Sequence, residues 1–175
     1  MAPLLLTEDD ANDVFLFGCA FKQAGLSNPL LVARDGQQAI DFLELLSNYR
    51  DRLLHPLPGL LLLDLKMPRL SGFDVLNWLR GRSDFKSVPV VVLSSSPQAP
   101  DMLLARELGA ADYRVKPAQL PDLVKLLQEL HCRWLGGRAT AAPVLPESSP
   151  RMTTPRLGIA ARNSSGSAVL QSELA

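Results

Sequence analysis

Leu60-Leu61-Leu62-Leu63-Asp64 is a run of pure hydrocarbon that stops on a carboxylate. Pro58 and Gly59 precede it, and Lys66 to Gly72 reads as a loop after it. So short an apolar stretch between turn formers reads as a strand covered on both faces rather than as a helix. The same signature recurs along the chain. Leu4-Leu5-Leu6 leads to Glu8 and Asp9, and Leu30-Leu31-Val32 is a second strand. Pro89 opens Val90-Val91-Val92-Leu93, which runs into a loop, Ser94-Ser95-Ser96-Pro97. Asp112 to Val115 makes a short fifth strand ahead of Lys116 and Pro117.

Amphipathic segments alternate with these strands. Asp10 or Asn12 can cap a first helix with Val14, Phe17, Gly18 and Phe21 on one face, ended by Gly25. A second carries Ala39, Phe42, Leu43 and Leu46 on its buried side, and a third is marked by Phe73, Leu76 and Leu79. The fourth runs from about Ala99 to Leu108 and stops at Gly109. Pro121 suits the first turn of the fifth, where Leu120, Leu123, Val124, Leu127 and Leu130 form one stripe. Buried strands separated by such helices predict an α/β domain of (βα)5 type: a doubly wound, five-stranded parallel sheet with helices on both faces.

Ligands of such sheets bind beyond the carboxyl ends of the strands, where the strand order reverses. Glu8, Asp9, Asp64, Ser94 and Lys116 all fall at those ends. Carboxylates gathered at one sheet edge repel one another unless a divalent cation lies among their oxygens. An acidic cluster, a cation and one fixed ammonium make a site for handling a phosphoryl group.

Composition narrows the alternatives. The chain has 175 residues with 18 basic and 18 acidic side chains, so no basic field argues for nucleic acid. The longest apolar run, Leu57 to Leu65, contains Gly59 and Asp64 and is too short to span a bilayer. Met1-Ala2-Pro3 lacks a basic n-region, so a cytoplasmic protein is expected. Cys19 and Cys132 stand alone and read as small buried apolar residues; His55 and His131 read as surface or loop histidines. Residues 136–175 have no aromatic side chain, four prolines, and four arginines against two glutamates. That Pro/Ser/Ala-rich composition predicts a disordered tail behind a domain of residues 1–135.

Four stretches carry a resemblance: Leu5-Leu6-Thr7-Glu8-Asp9-Asp10; Leu62-Leu63-Asp64-Leu65-Lys66-Met67-Pro68-Arg69-Leu70-Ser71-Gly72; Pro89-Val90-Val91-Val92-Leu93-Ser94; and Gly109-Ala110-Ala111-Asp112-Tyr113-Arg114-Val115-Lys116-Pro117. From about Leu4 to Trp134 the chain resembles the receiver domain of two-component response regulators. Glu8 to Val14 and the long loop before the third strand resemble the single-domain regulators of phytochrome-type histidine kinases. The resemblance implies a flavodoxin-like strand order, 2-1-3-4-5. It implies a stand-alone cytoplasmic signalling module that assists its own phosphorylation and dephosphorylation rather than a conventional enzyme.

By the same resemblance, Asp64 accepts a phosphoryl group from a phosphohistidine of a partner kinase. Mg²⁺ is held by Asp9 and Asp64 directly, by Glu8 through a water, and by the Lys66 carbonyl. Lys116 neutralises a phosphoryl oxygen, and a cis bond is implied before Pro117. Ser94, where threonine is common, bonds the phosphoryl group, and Tyr113 turns inward as that loop closes. Lys66, two residues beyond the acceptor, pairs with the acidic cluster or obstructs a hydrolytic water, which predicts slower loss of phosphate. Homodimerisation is implied through the fourth helix, fifth strand and fifth helix.

Other readings remain. The protein can be a phosphate sink that drains its kinase. A phosphatase with an aspartate nucleophile needs a second acid two residues on, where this chain has Lys66. A flavin protein needs a Gly/Ser/Thr-rich phosphate cradle after the first strand, where this chain has Glu8-Asp9-Asp10.

Overall fold

The computed structural model describes residues 1–49 and 54–136. In chain order the elements are β1 (Leu4–Thr7), α1 (Ala11–Gln23), β2 (Leu30–Ala33), α2 (Gly36–Asn48), β3 (Leu60–Leu63), α3 (Gly72–Arg80), β4 (Val90–Ser94), α4 (Ala99–Glu107), β5 (Asp112–Val115) and α5 (Leu120–Leu130). A 3₁₀ turn, Ser83–Phe85, precedes β4, and a π-helical turn, His131–Leu135, extends α5. The five strands pair in parallel in the order β2-β1-β3-β4-β5, as the residue pattern and the resemblance implied.

Register decides what reaches the sheet edge. Thr7 lies level with Ala33 on one side and Leu63 on the other. One residue further on, Glu8 N–H donates to Ala33 O at 2.9 Å and Asp64 N–H donates to Thr7 O at 3.0 Å. Glu8 and Asp64 are therefore neighbours on adjacent strands. Side chains alternate between the two faces. Leu4, Leu6, Leu60, Leu62, Val91 and Leu93 belong to the core under α1 and α5. Leu5, Leu61, Leu63, Val90 and Val92 belong to the core that includes buried residues of α2, α3 and α4. The alternation directs Glu8 and Asp64 to the α1/α5 side and Ser94 to the α4 side.

Helix boundaries follow ordinary capping chemistry. Asp10 caps α1 by accepting from the N–H groups of Asn12 at 2.7 Å and Asp13 at 3.1 Å. Ser71 and Asp74 form a reciprocal capping box at α3. Gly72 is required by close approach: a Cβ there would lie 2.2 Å from the Asp64 carbonyl oxygen.

Several details differ from the sequence reading. Ser94 ends β4 instead of opening the loop, because Lys116 N–H bonds its carbonyl at 2.9 Å and prolongs the ladder. In α2 the fully buried positions include Ala39, Ile40 and Leu43, whereas Phe42 and Leu46 are only partly buried, so the helix is rotated toward Ile40. Cys132 is exposed, not buried. His131 is buried, not at the surface, because the π-helical turn keeps it on the stripe that contains Leu123 and Leu127. Its Nε2 donates to Asn28 Oδ1 at 2.9 Å, while Asn28 Nδ2 donates to Ala2 O. The expected disordered tail, residues 136–175, lies outside the described residues apart from Gly136. Among the described residues no helix is long and apolar enough to cross a membrane.

Candidate functional site

At the carboxyl edge of β1 and β3, one carboxylate oxygen each from Glu8, Asp9 and Asp64 lie within 4.8 Å of one another. Glu8 and Asp64 are buried and Asp9 is exposed, so the cluster has a floor and an open side. Asp64 Oδ1 accepts from the N–H of Leu65 at 2.7 Å and of Lys66 at 3.4 Å. Its Oδ2 turns toward Lys116, whose Nζ is 3.0 Å away. The backbone thus fixes one oxygen and leaves the other facing a cation.

Lys116 leaves the end of β5 and crosses to β1. Its ammonium donates to Glu8 Oε2 at 2.5 Å and to Asp13 Oδ2 at 3.1 Å as well as to Asp64. Burial alone would lower its pKa, but the hydrogen bond it donates to Glu8 and the charges of Asp64 and Glu8 outweigh burial and raise it. Burial pushes the Glu8 carboxyl above its ordinary value. Lys116 pulls against that shift, and the nearby charges of Asp64 and Asp13 reinforce it. Hard oxygen donors so close together suit a small divalent cation, for which Glu8, Asp9 and Asp64 are the available side-chain ligands.

Ser94 and Tyr113 belong to a second group. Ser94 is fully buried, and its Oγ accepts from Ser96 N–H at 3.3 Å. Among the described residues its hydroxyl bonds none of Glu8, Asp9, Asp64 or Lys116. Tyr113 O–H donates to Ser96 O at 2.6 Å, and Ser96 Oγ donates to Asp101 Oδ2 in the first turn of α4 at 2.8 Å. Ser96 therefore joins the hydroxyl at the end of β4 to the β5 aromatic and to α4.

One expectation is corrected, and of the two roles expected for the Lys66 side chain the pairing with the acidic cluster is not seen among the described residues. The Lys116–Pro117 bond is trans, since no cis peptide occurs among the described residues. The trans form is intrinsically favoured by about 0.5–1 kcal/mol before proline, and from it the ammonium already reaches its carboxylates. The Lys66 side chain is exposed and makes no ion pair among the described residues; only its amide meets Asp64.

Sequence reasoning missed Asp13 and the pair Arg69–Asp35. Asp13 reads from sequence as an acid that favours a helix N-terminus. The signal that could have found it is the Asp10 cap, which fixes the helix start and so places Asp13 in the first turn beside the end of β1. A cleft of about 280 Å³ opens next to this corner, bordered by Glu8, Asp13, Ser95 and Lys116 and walled by Phe17 and Leu123.

Comparison with known proteins agrees with this geometry. Residues 4–128 match the response regulator receiver domain. Response regulator Rcp1 of Synechocystis sp. is 35% identical over 132 residues, which span 75% of this chain and 88% of that protein. The crystal structure of the Mn(2+)-bound form of Rcp1 superposes with a TM-score of 0.65 at 32% identity, covering 82% of this chain and 100% of that one. The phosphorylated cyanobacterial phytochrome response regulator RcpA gives a TM-score of 0.66 at 28% identity, covering 77% of this chain and 94% of its own.

Proposed function

The chain belongs to the response regulator receiver family, and on that premise we propose that it is a stand-alone regulator that takes a phosphoryl group on Asp64 from a partner histidine kinase. The observation that carries this reading is the pair of unequal oxygens on Asp64. Oδ1 is held by two backbone N–H groups, and Oδ2 faces the Lys116 ammonium at 3.0 Å.

Asp64 Oδ2 donates an electron pair to phosphorus. The O–P bond forms, the N–P bond of the phosphohistidine breaks, and its electron pair returns to the imidazole ring. Lys116 gives an N–H to a phosphoryl oxygen and offsets the charge that gathers there. When bound, Mg²⁺ supplies charge neutralisation at the phosphoryl oxygens, held by Glu8, Asp9 and Asp64 together with the Lys66 carbonyl. The Ser94 hydroxyl turns from Ser96 N–H to the phosphoryl group. That rotation loosens the loop whose carbonyl holds Tyr113, so the state of Asp64 is felt at β5 and α4.

Similarity to phytochrome response regulators supports a kinase of phytochrome type and a cytoplasmic setting. Leu103 of α4 and Val115 of β5 expose apolar surface on the face formed by α4, β5 and α5. That exposure supports output through protein contacts, including a homodimer.

The test is incubation with a small phosphodonor and Mg²⁺, followed by intact mass. Wild type should gain one phosphoryl group and Asp64→Asn none. A gain that survives Asp64→Asn would sink the assignment.

A further inference from the structure

Lys116 carries three N–H donors, and each already has a carboxylate partner: Glu8 at 2.5 Å, Asp64 at 3.0 Å and Asp13 at 3.1 Å. The ammonium therefore has no spare hydrogen. When the O–P bond forms at Asp64 Oδ2, the N–H that met this oxygen passes to the phosphoryl group, and the ammonium can move fully onto that group only if a second partner releases it. Glu8 and Asp64 belong to the acidic cluster, and Asp13 does not. Asp13 is also the most exposed of the three, with 47% of its side chain in solvent against 5% for Glu8 and 7% for Asp64. Its bond to Lys116 is the longest and the best screened, so it is the one that yields.

We propose that Asp13 is a positioning residue: it holds the Lys116 ammonium toward α1 in the unphosphorylated protein and competes with a phosphoryl group on Asp64 for it. The inference rests on the phosphoryl-acceptor reading above and adds a regulator of that site outside the carboxylate cluster. Asp13 can fill the role because its position is rigid. Its own N–H is fixed to the Asp10 cap at 3.1 Å, and α1 packs on the same core as α5. The competing carboxylate is built into the helix and does not depend on a mobile loop.

The experiment titrates beryllofluoride, a phosphoryl analogue, into the full chain with saturating Mg²⁺ and follows amide chemical shifts. Asp13→Asn should bind the analogue about two- to fivefold more tightly, the range expected for removing one part-exposed ion pair. Asp13→Glu should stay near wild type. Asp10→Asn is the field control: it removes an equal charge from the same helix end, retains a capping side chain and does not touch Lys116. An unchanged affinity in Asp13→Asn, or an equal gain in Asp10→Asn, overturns the proposal. Asp13→Ser repeats the test should the asparagine variant unfold. Wild type that binds no beryllofluoride refutes the acceptor reading itself, and this inference falls with it. Wild type that binds while Asp13→Asn is unchanged refutes only the inference.

Discussion

Arg69 has a left-handed backbone, φ 67°, and its guanidinium forms an ion pair with Asp35, the buried N-cap of α2. The pair ties the loop that follows β3 to the helix after β2. A non-glycine residue in that conformation is strained by about 1–2 kcal/mol, whereas a pair with one exposed partner returns less than about 1 kcal/mol. Arg69→Gly should therefore be close to neutral in urea denaturation. Arg69→Val, which adds a β-branch to the same backbone, should lose about 1–2 kcal/mol or more. Equal stabilities for the two variants would show that the backbone strain is not felt.

Gly72 lies against the carbonyl of Asp64, and no side chain fits between them. Gly72→Ala forces α3 or the end of β3 to move, at about 1–3 kcal/mol. Because the displaced group is the proposed acceptor residue, phosphorylation by a small donor should fall more steeply than stability. Mass spectrometry and thermal unfolding on the same sample separate the two effects. A variant that keeps wild-type phosphorylation would disprove the coupling.

Lys116 pairs with Glu8 and Asp64, two of the three carboxylates that could hold a divalent cation. Lys116→Met should lower the unfolding temperature in chelator, because the carboxylates lose their only cationic partner among the described residues. The same variant should bind Mg²⁺ about tenfold more tightly, the effect of removing one like charge worth about 1.4 kcal/mol. The raised pKa of Lys116 means that its stabilising pairing is complete below the ordinary lysine value and is lost only as pH climbs through the higher folded value. The wild-type contribution should be flat across neutral pH. Isothermal titration with Mg²⁺ that shows weaker binding in Lys116→Met would reverse this picture.

On the acid side, the Asp74 carboxyl is held below its ordinary value by the side chain and backbone of Ser71. A depressed carboxylate stabilises the fold above its unfolded pKa and loses that contribution as pH falls through the lower folded value. Ser71→Ala should remove about 1 kcal/mol at pH 7. The difference from wild type should shrink below about pH 4, as the unfolded-state carboxyl protonates. A difference that stays constant from pH 7 to pH 3 would place the loss elsewhere.

The central strands were legible because they are hydrocarbon over most of their length, and Leu60 to Leu63 cannot be confused with a half-exposed strand, whereas the strand order rested on the family resemblance. The sheet edge was legible for the same reason: Asp64 is the first residue after its hydrocarbon run, and Glu8 follows Leu6 with only Thr7 between. Asp13 was not, because a helix position signals only its own element, and its partner Lys116 lies 103 residues away. The backbone isomer before Pro117 was not legible either, since the preference at proline is too small for sequence to decide. His131 read as a surface residue because a polar side chain on an apolar stripe looks like an interruption until its partner, Asn28, is located.

The level pairing of Thr7 with Ala33 and Leu63 has a consequence for how this gene can vary. Strand neighbours point to opposite sides, so loss or gain of a single codon within Leu60–Leu63 would turn Asp64 away from Lys116 and toward the far layer. An apolar substitution there changes only packing, whereas a one-residue indel also redirects Asp64. Length in that strand should therefore be more tightly preserved among descendants than the identity of any leucine in it.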